Sequence, residues 1–201
     1  KIKEFLNTDN NVICVSSGTA ALHLALQASG LGPGDQVLVP SITYLASYQA
    51  ITACGAIPIS CDVIPGTLFL DPDDSRSRIT ERTKAIMPVH YGSNVIGIDD
   101  IYNLANDFNL VVIEDAAHSF GNKKEGNYIG ATEDIVCFSF DGIKNITTGE
   151  GGAVIVKSDS IAQHIKDARL LGVSGDTVAR FSNSRSWHPT VAIQGWRYHM
   201  S

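Results

Sequence analysis

Short apolar runs alternate with longer stretches of mixed apolar and polar positions through the first 171 residues. Runs of four to six apolar residues bounded by turn formers read as buried strands, and their alternation with helix-length segments is the signature of a parallel sheet with crossover helices. The pattern predicts strands over 12–15, 36–39, 57–62, 84–89, 111–114, 135–140 and 153–156. It predicts helices over 19–29, 45–54, 98–108 and 158–171, the second of them closed by Gly55. Gly32-Pro33-Gly34 and Gly149-Glu150-Gly151-Gly152 supply the backbone angles of turns. The expected fold is therefore α/β, a mostly parallel central sheet with helices on both faces, built from residues 1–171. Beyond Gly172 the rhythm is lost, and 172–201 reads as an extended segment over the surface, toward a dimer partner.

Composition narrows the chemistry. Hydrophobic residues make up 44% of the 201 and charged residues 18%, the balance of a globular protein with a real core. The net charge is −6, and Lys and Arg form no stripe, which argues against nucleic acid or an anionic membrane as partner and for a small-molecule substrate. Cys14, Cys54, Cys61 and Cys137 lie in apolar or strand-like runs without CxxC spacing; buried free thiols in a reducing compartment explain them better than disulfides or zinc, so no metal site is expected. No apolar run approaches the roughly 20 residues that span a bilayer and no signal-peptide pattern opens the chain, so a cytoplasmic location is expected. The chain starts at Lys1 rather than Met and stops inside a motif-like run at Ser201, and it reads as cut at both ends, with a C-terminal small domain missing.

Candidate chemistry gathers where strands end, because ligands of open parallel sheets settle at the carboxyl edge. Asp115 closes the apolar run at 111–114, His118 follows three residues later, and Lys144 lies just past the strand at 135–140, which also carries Ser139. A carboxylate that keeps a pyridine nitrogen protonated and a lysine that links to an aldehyde are what a pyridoxal phosphate enzyme requires. Each residue has an ordinary explanation beside that one: Asp115 as the cap of a following helix, His118 packed in a loop, Lys144 snorkelling to solvent. Ser16-Ser17-Gly18-Thr19 lies between a strand and a helix, where free N–H groups cradle phosphate, although Ser and Thr are also plain N-caps. Tyr44 is either a core aromatic or a ring stacked on the pyridine.

In this order the elements resemble the DegT/DnrJ-type nucleotide-sugar aminotransferases, a fold-type I pyridoxal phosphate family. The match is carried by Ser17-Gly18-Thr19-Ala20-Ala21-Leu22, Val39-Pro40-Ser41-Ile42-Thr43-Tyr44, Ile113-Glu114-Asp115-Ala116-Ala117-His118, and Phe138-Ser139-Phe140 through Lys144-Asn145 to Gly149-Glu150-Gly151-Gly152. The resemblance implies that Lys144 is the Schiff-base lysine and proton shuttle, that Asp115 pairs with the pyridine nitrogen, that His118 touches the ring oxygen, and that Tyr44 stacks. It implies that Gly18, Thr19 and Ser139 hold the phosphate, with Ala20 among the cofactor-binding positions. Arg197 stands where the family often has Asn reaching the phosphate in the neighbouring subunit, and its fork suits that task. A homodimer follows, with glutamate as amino donor and a keto sugar on a nucleoside diphosphate as acceptor, in surface polysaccharide or glycoconjugate synthesis. The alternative is a pyridoxal phosphate-binding regulator or sugar dehydratase on the same scaffold; dehydratase members carry histidine at the position of Lys144. No leading helix is predicted before the first strand.

Overall fold

A computed structural model describes residues 1–174 and 190–200. In chain order the elements are α1 (Ile2–Leu6), β1 (Asn11–Val15), α2 (Gly18–Ala28), β2 (Gln36–Pro40), α3 (Leu45–Ala53), β3 (Ile57–Cys61), α4 (Pro72–Ser77) and β4 (Thr83–Ile86). They continue with α5 (Ile98–Phe108), β5 (Val111–Val112), β6 (Glu114–Asp115), β7 (Lys123–Lys124), β8 (Asn127–Tyr128), β9 (Ile135–Ser139), β10 (Gly152–Val156) and α6 (Asp159–Ala168).

β5 and β6 are two halves of one strand that flank Ile113, whose N–H donates to Ile86 C=O at 3.1 Å. The first half pairs with β4 and the second with β9, so the strand joins the row β3-β2-β4-β5 to the row β6-β9-β10-β1. Within these two rows the pairings are parallel except those of β10, which runs antiparallel to both β9 and β1, while β7 and β8 form a separate antiparallel hairpin. β9 and β10 are consecutive strands of this sheet with no crossover helix between them, and the loop that joins them carries Lys144.

Side chains alternate across the sheet as a period of two demands. Ile13, Val15, Val37, Val39, Ala85, Met87, Ile113, Cys137 and Val154 face one core, with α2, α3 and α6. Leu38, Ile86 and Val112 face the opposite side, against α5. Val136, Phe138, Ala153 and Ile155 face that side too, in a third cluster with Leu6 and Phe120. α2 is apolar on every side and buried from Ala20 to Leu26, as a helix wedged between a sheet and two other helices must be. α5 buries only Ile98, Ile101, Leu104 and Ala105, and it ends at Asn109 in the left-handed region with φ 52°.

The boundaries differ from the sequence expectation for local reasons. The strand expected over 84–89 ends at Ile86 because Pro88 has no N–H to give the ladder. Helix 158–171 stops at Ala168, and no helix follows Asp115. The short helices α1 and α4 and the β7–β8 hairpin carry too little periodicity to be read from the pattern. All four cysteines are free thiols. No helix among the described residues is long and apolar enough to cross a membrane.

Of the segment 172–201, residues 175–189 and 201 lie outside the described residues. Residues 190–200 run back over their own domain: Trp196 N–H donates to Ala168 C=O, Tyr198 N–H to Arg169 C=O, and Ser16 N–H to Tyr198 C=O at 2.7 Å. The chain passes so closely here that a Cβ on Gly195 would overlap the Gly172 backbone and one on Gly172 the Ile193 carbonyl.

Candidate active site

The carboxyl ends of β1, β2, β6 and β9 converge on one edge of the sheet. Asp115 is the last residue of β6 and only 5% exposed. Because it shares the parity of Ile113, its side chain falls on the α3 face, where Ser47 Oγ donates to Oδ2 at 2.7 Å. Ala117 N–H donates to Oδ1 at 3.2 Å, so the carboxylate caps a turn and not the helix envisaged from sequence. Thr43 Oγ1 holds Ser47 in place at 2.7 Å.

Lys144 sits half-buried in the loop that joins β9 to β10. That loop is tied down on both sides of the lysine: Ile143 N–H donates to Asp141 Oδ1 at 3.0 Å, and Asn145 Nδ2 donates to Phe120 C=O at 2.7 Å. Burial and then the Lys144 charge hold the His118 imidazole below the ordinary 6.5, while Asp115 pulls the other way. Gly92 N–H donates to His118 Nδ1 at 3.3 Å.

The β1–α2 turn lies beside them. Ser17 is the N-cap and accepts from Ala20 N–H at 3.1 Å, so the Ala20 donor is already taken. Gly18 and Thr19 hold first-turn N–H groups that have no partner inside the helix. A Cβ on Gly18 would stand 2.8 Å from Ser139 Cβ and 3.2 Å from its Oγ, so the helix start and the Ser139 hydroxyl share one cradle that only glycine permits. Tyr44 caps α3 with its ring 77% exposed, which removes the core-aromatic explanation and leaves the ring free at the mouth of the site. Arg197 is exposed, its backbone paired with Leu170, next to the Tyr198 carbonyl that meets Ser16.

Four residues that sequence reasoning assigned no role, Ser47, Glu114, Tyr102 and His90, complete the surroundings. Ser47 gave no signal, being one hydroxyl on a helix. Glu114 is 1% exposed on the opposite face from Asp115, where Tyr102 donates to Oε1 at 2.6 Å and His90 Nε2 lies 2.9 Å from Oε2. A second carboxylate inside an apolar strand demands partners, but which ones only the fold reveals.

The donor set fits pyridoxal phosphate. Among the described residues the Asp115 carboxylate draws its hydrogen bonds from neutral donors alone, and a protonated ring nitrogen would supply the cation that a buried carboxylate otherwise lacks. Free N–H groups and a hydroxyl stand ready for a phosphate at the α2 start.

The profile of the DegT/DnrJ/EryC1/StrS aminotransferase family matches residues 1–201. GDP-perosamine synthase of Caulobacter vibrioides is 44% identical over 191 residues, which cover 95% of this chain and 49% of that protein. Among solved structures, an aminotransferase from Psychrobacter cryohalolentis superposes with a TM-score of 0.89 at 31% identity, over 98% of this chain and 50% of the other. DesV of S. venezuelae, solved with a ketimine intermediate, gives 0.86 at 34% identity over 99% and 50%. The chain spans about half the length of the curated relatives it matches. Sheet order, site edge and family profile agree over the whole sequence, and the chain belongs to the DegT/DnrJ/EryC1/StrS aminotransferase family.

Proposed function

We propose that this chain is the cofactor-binding part of a pyridoxal phosphate-dependent aminotransferase that moves an amino group from an amino acid, glutamate, to a keto sugar on a nucleoside diphosphate. The observation that supports the reading is the buried Asp115 carboxylate at the end of β6, held by Ser47, on the same strand-end edge as the open start of α2 and its Gly18–Ser139 cradle, with Lys144 in the loop that follows β9. The likeness to a GDP-perosamine synthase favours the nucleotide-sugar acceptor and a role in surface polysaccharide or glycoconjugate synthesis. A lysine at 144 favours transamination over the dehydratase alternative.

Bound at this edge, the cofactor would supply an aldehyde to carry the amino group and a pyridinium ring to accept electrons. The protein does the rest. Asp115 Oδ2, steadied by Ser47, would hold a proton on the ring nitrogen. Lys144 Nζ would anchor the carbonyl and, once released, take and return the proton at the substrate α carbon. His118 would face the ring oxygen, Gly18, Thr19 and Ser139 would hold the phosphate, and Tyr44 would cover the ring and exclude water. In this reading residues 1–171 form the cofactor domain, and Arg197, exposed on a segment that packs back onto that domain, would reach the phosphate in the partner of a homodimer.

The test is to incubate the full-length protein with pyridoxal phosphate, reduce with borohydride and map the labelled peptide. Label on Lys144 is expected, and label elsewhere overturns the assignment. Formation of 2-oxoglutarate from glutamate, dependent on an added keto nucleotide sugar, tests the substrate class.

A further inference from the structure

One buried imidazole sits behind this site. His90 follows the end of β4 and is 1% exposed. Its Nε2 lies 2.9 Å from Glu114 Oε2 and its Nδ1 3.1 Å from Ser119 Oγ. Those two partners are the first and last residues of the stretch 114–119, which carries both Asp115 and His118. The same turn of chain grips the stretch between them. His90 N–H donates to Asp115 C=O at 3.0 Å, Gly92 N–H donates to His118 Nδ1 at 3.3 Å, and the Ser93 hydroxyl donates to His118 C=O. Positive φ at Gly92 and Ser93, 57° and 68°, bends the chain back far enough to do this.

The arrangement matters because the stretch leaves the sheet after Ala116, whose N–H makes its last ladder bond, to Cys137 C=O. Past that point no helix or strand fixes how Ala117 and His118 are turned. Nε2 faces the Glu114 carboxylate in a close polar contact without hydrogen-bond alignment, and Nδ1 meets the Ser119 hydroxyl, so the two partners bracket the ring and set its orientation. Tyr102 in turn fixes Glu114.

We propose that His90 is a positioning residue that clamps both ends of the 114–119 stretch from the far face of the sheet, so that Asp115 and His118 are held at the angle the cofactor requires. The inference rests on the reading of those two residues as cofactor-holding groups. The test compares the unaltered full-length protein with Ser119→Ala, which removes one partner of the ring, and with His90→Gln and His90→Ala. In cofactor-free protein, histidine-labelled NMR should show the His118 ring titrating closer to 6.5 in Ser119→Ala as the stretch loosens and water enters; the His90 variants also lose the direct effect of the His90 charge on His118, so they are compared with each other, with His90→Gln nearer the native behaviour than His90→Ala. The dissociation constant for pyridoxal phosphate should rise about tenfold, the scale on which supporting residues act. An unchanged His118 titration in Ser119→Ala, with only the melting temperature lowered, overturns the clamp and leaves His90 as filler of a buried polar site. Absence of label on Lys144 in the unaltered protein would instead sink the functional reading, with the His118 titration still judging the clamp.

Discussion

Two hydrogen bonds decide the character of Asp115, one from Ser47 Oγ and one from Ala117 N–H. Replacing Asp115 with Asn keeps the shape and removes the charge, so turnover should drop about 100-fold or more with the circular dichroism spectrum unchanged, in line with the loss of one preorganised electrostatic partner. Ser47→Ala leaves a buried carboxylate oxygen short of a donor. Urea denaturation should show a loss of about 1–3 kcal/mol. At His118 three causes push the same way, burial first, the lysine charge second and His90 last, against Asp115. Lys144→Ala removes only the second, so NMR titration of the cofactor-free protein should show the His118 pKa rising while remaining below 6.5.

In the proposed reading, the start of α2 serves both folding and phosphate binding. Ser17 spends its side chain on Ala20 N–H, and this leaves the earlier N–H groups of Gly18 and Thr19 unclaimed. Capping and phosphate binding are therefore compatible uses of the same four residues. Gly18 is required by contact, since Ser139 of β9 stands where its Cβ would go. Gly18→Ala should force helix and strand apart at a cost of about 1–3 kcal/mol by denaturation, typical of overpacking, and should weaken phosphate binding at the same time.

Across the whole molecule, residues 190–200 tie the far end of the described chain onto α2 and α6. Trp196 lies 5.0 Å from the His23 ring, and Tyr198 OH is 3.3 Å from His23 Nδ1. Burial lowers the pKa of His23 beneath 6.5, so the unfolded chain binds a proton that the folded chain resists. Stability from this group is complete above about pH 6.5 and is lost as the pH falls below it. Thermal denaturation across that range should show the fall, and His23→Gln should flatten part of it.

Local chemistry made the sheet legible in advance. Apolar runs such as 36–39 and 153–156 can only be buried strands, and Asp115 and Lys144 stood out because charges beside such runs are costly without a purpose. The sequence by itself determined the α/β class and the long strands of the sheet, and it nominated the candidate site residues, since these follow from period, burial cost and turn geometry over a few neighbouring positions. Only the tertiary structure decided that β10 runs antiparallel, that Ser47 supports Asp115, that Ala20 N–H is already occupied, and that a histidine after β4 grips both ends of the stretch carrying the acid. These are contacts between residues far apart in the chain, and no local pattern encodes them; they exist once strand order brings the carboxyl ends of separate strands to a common edge.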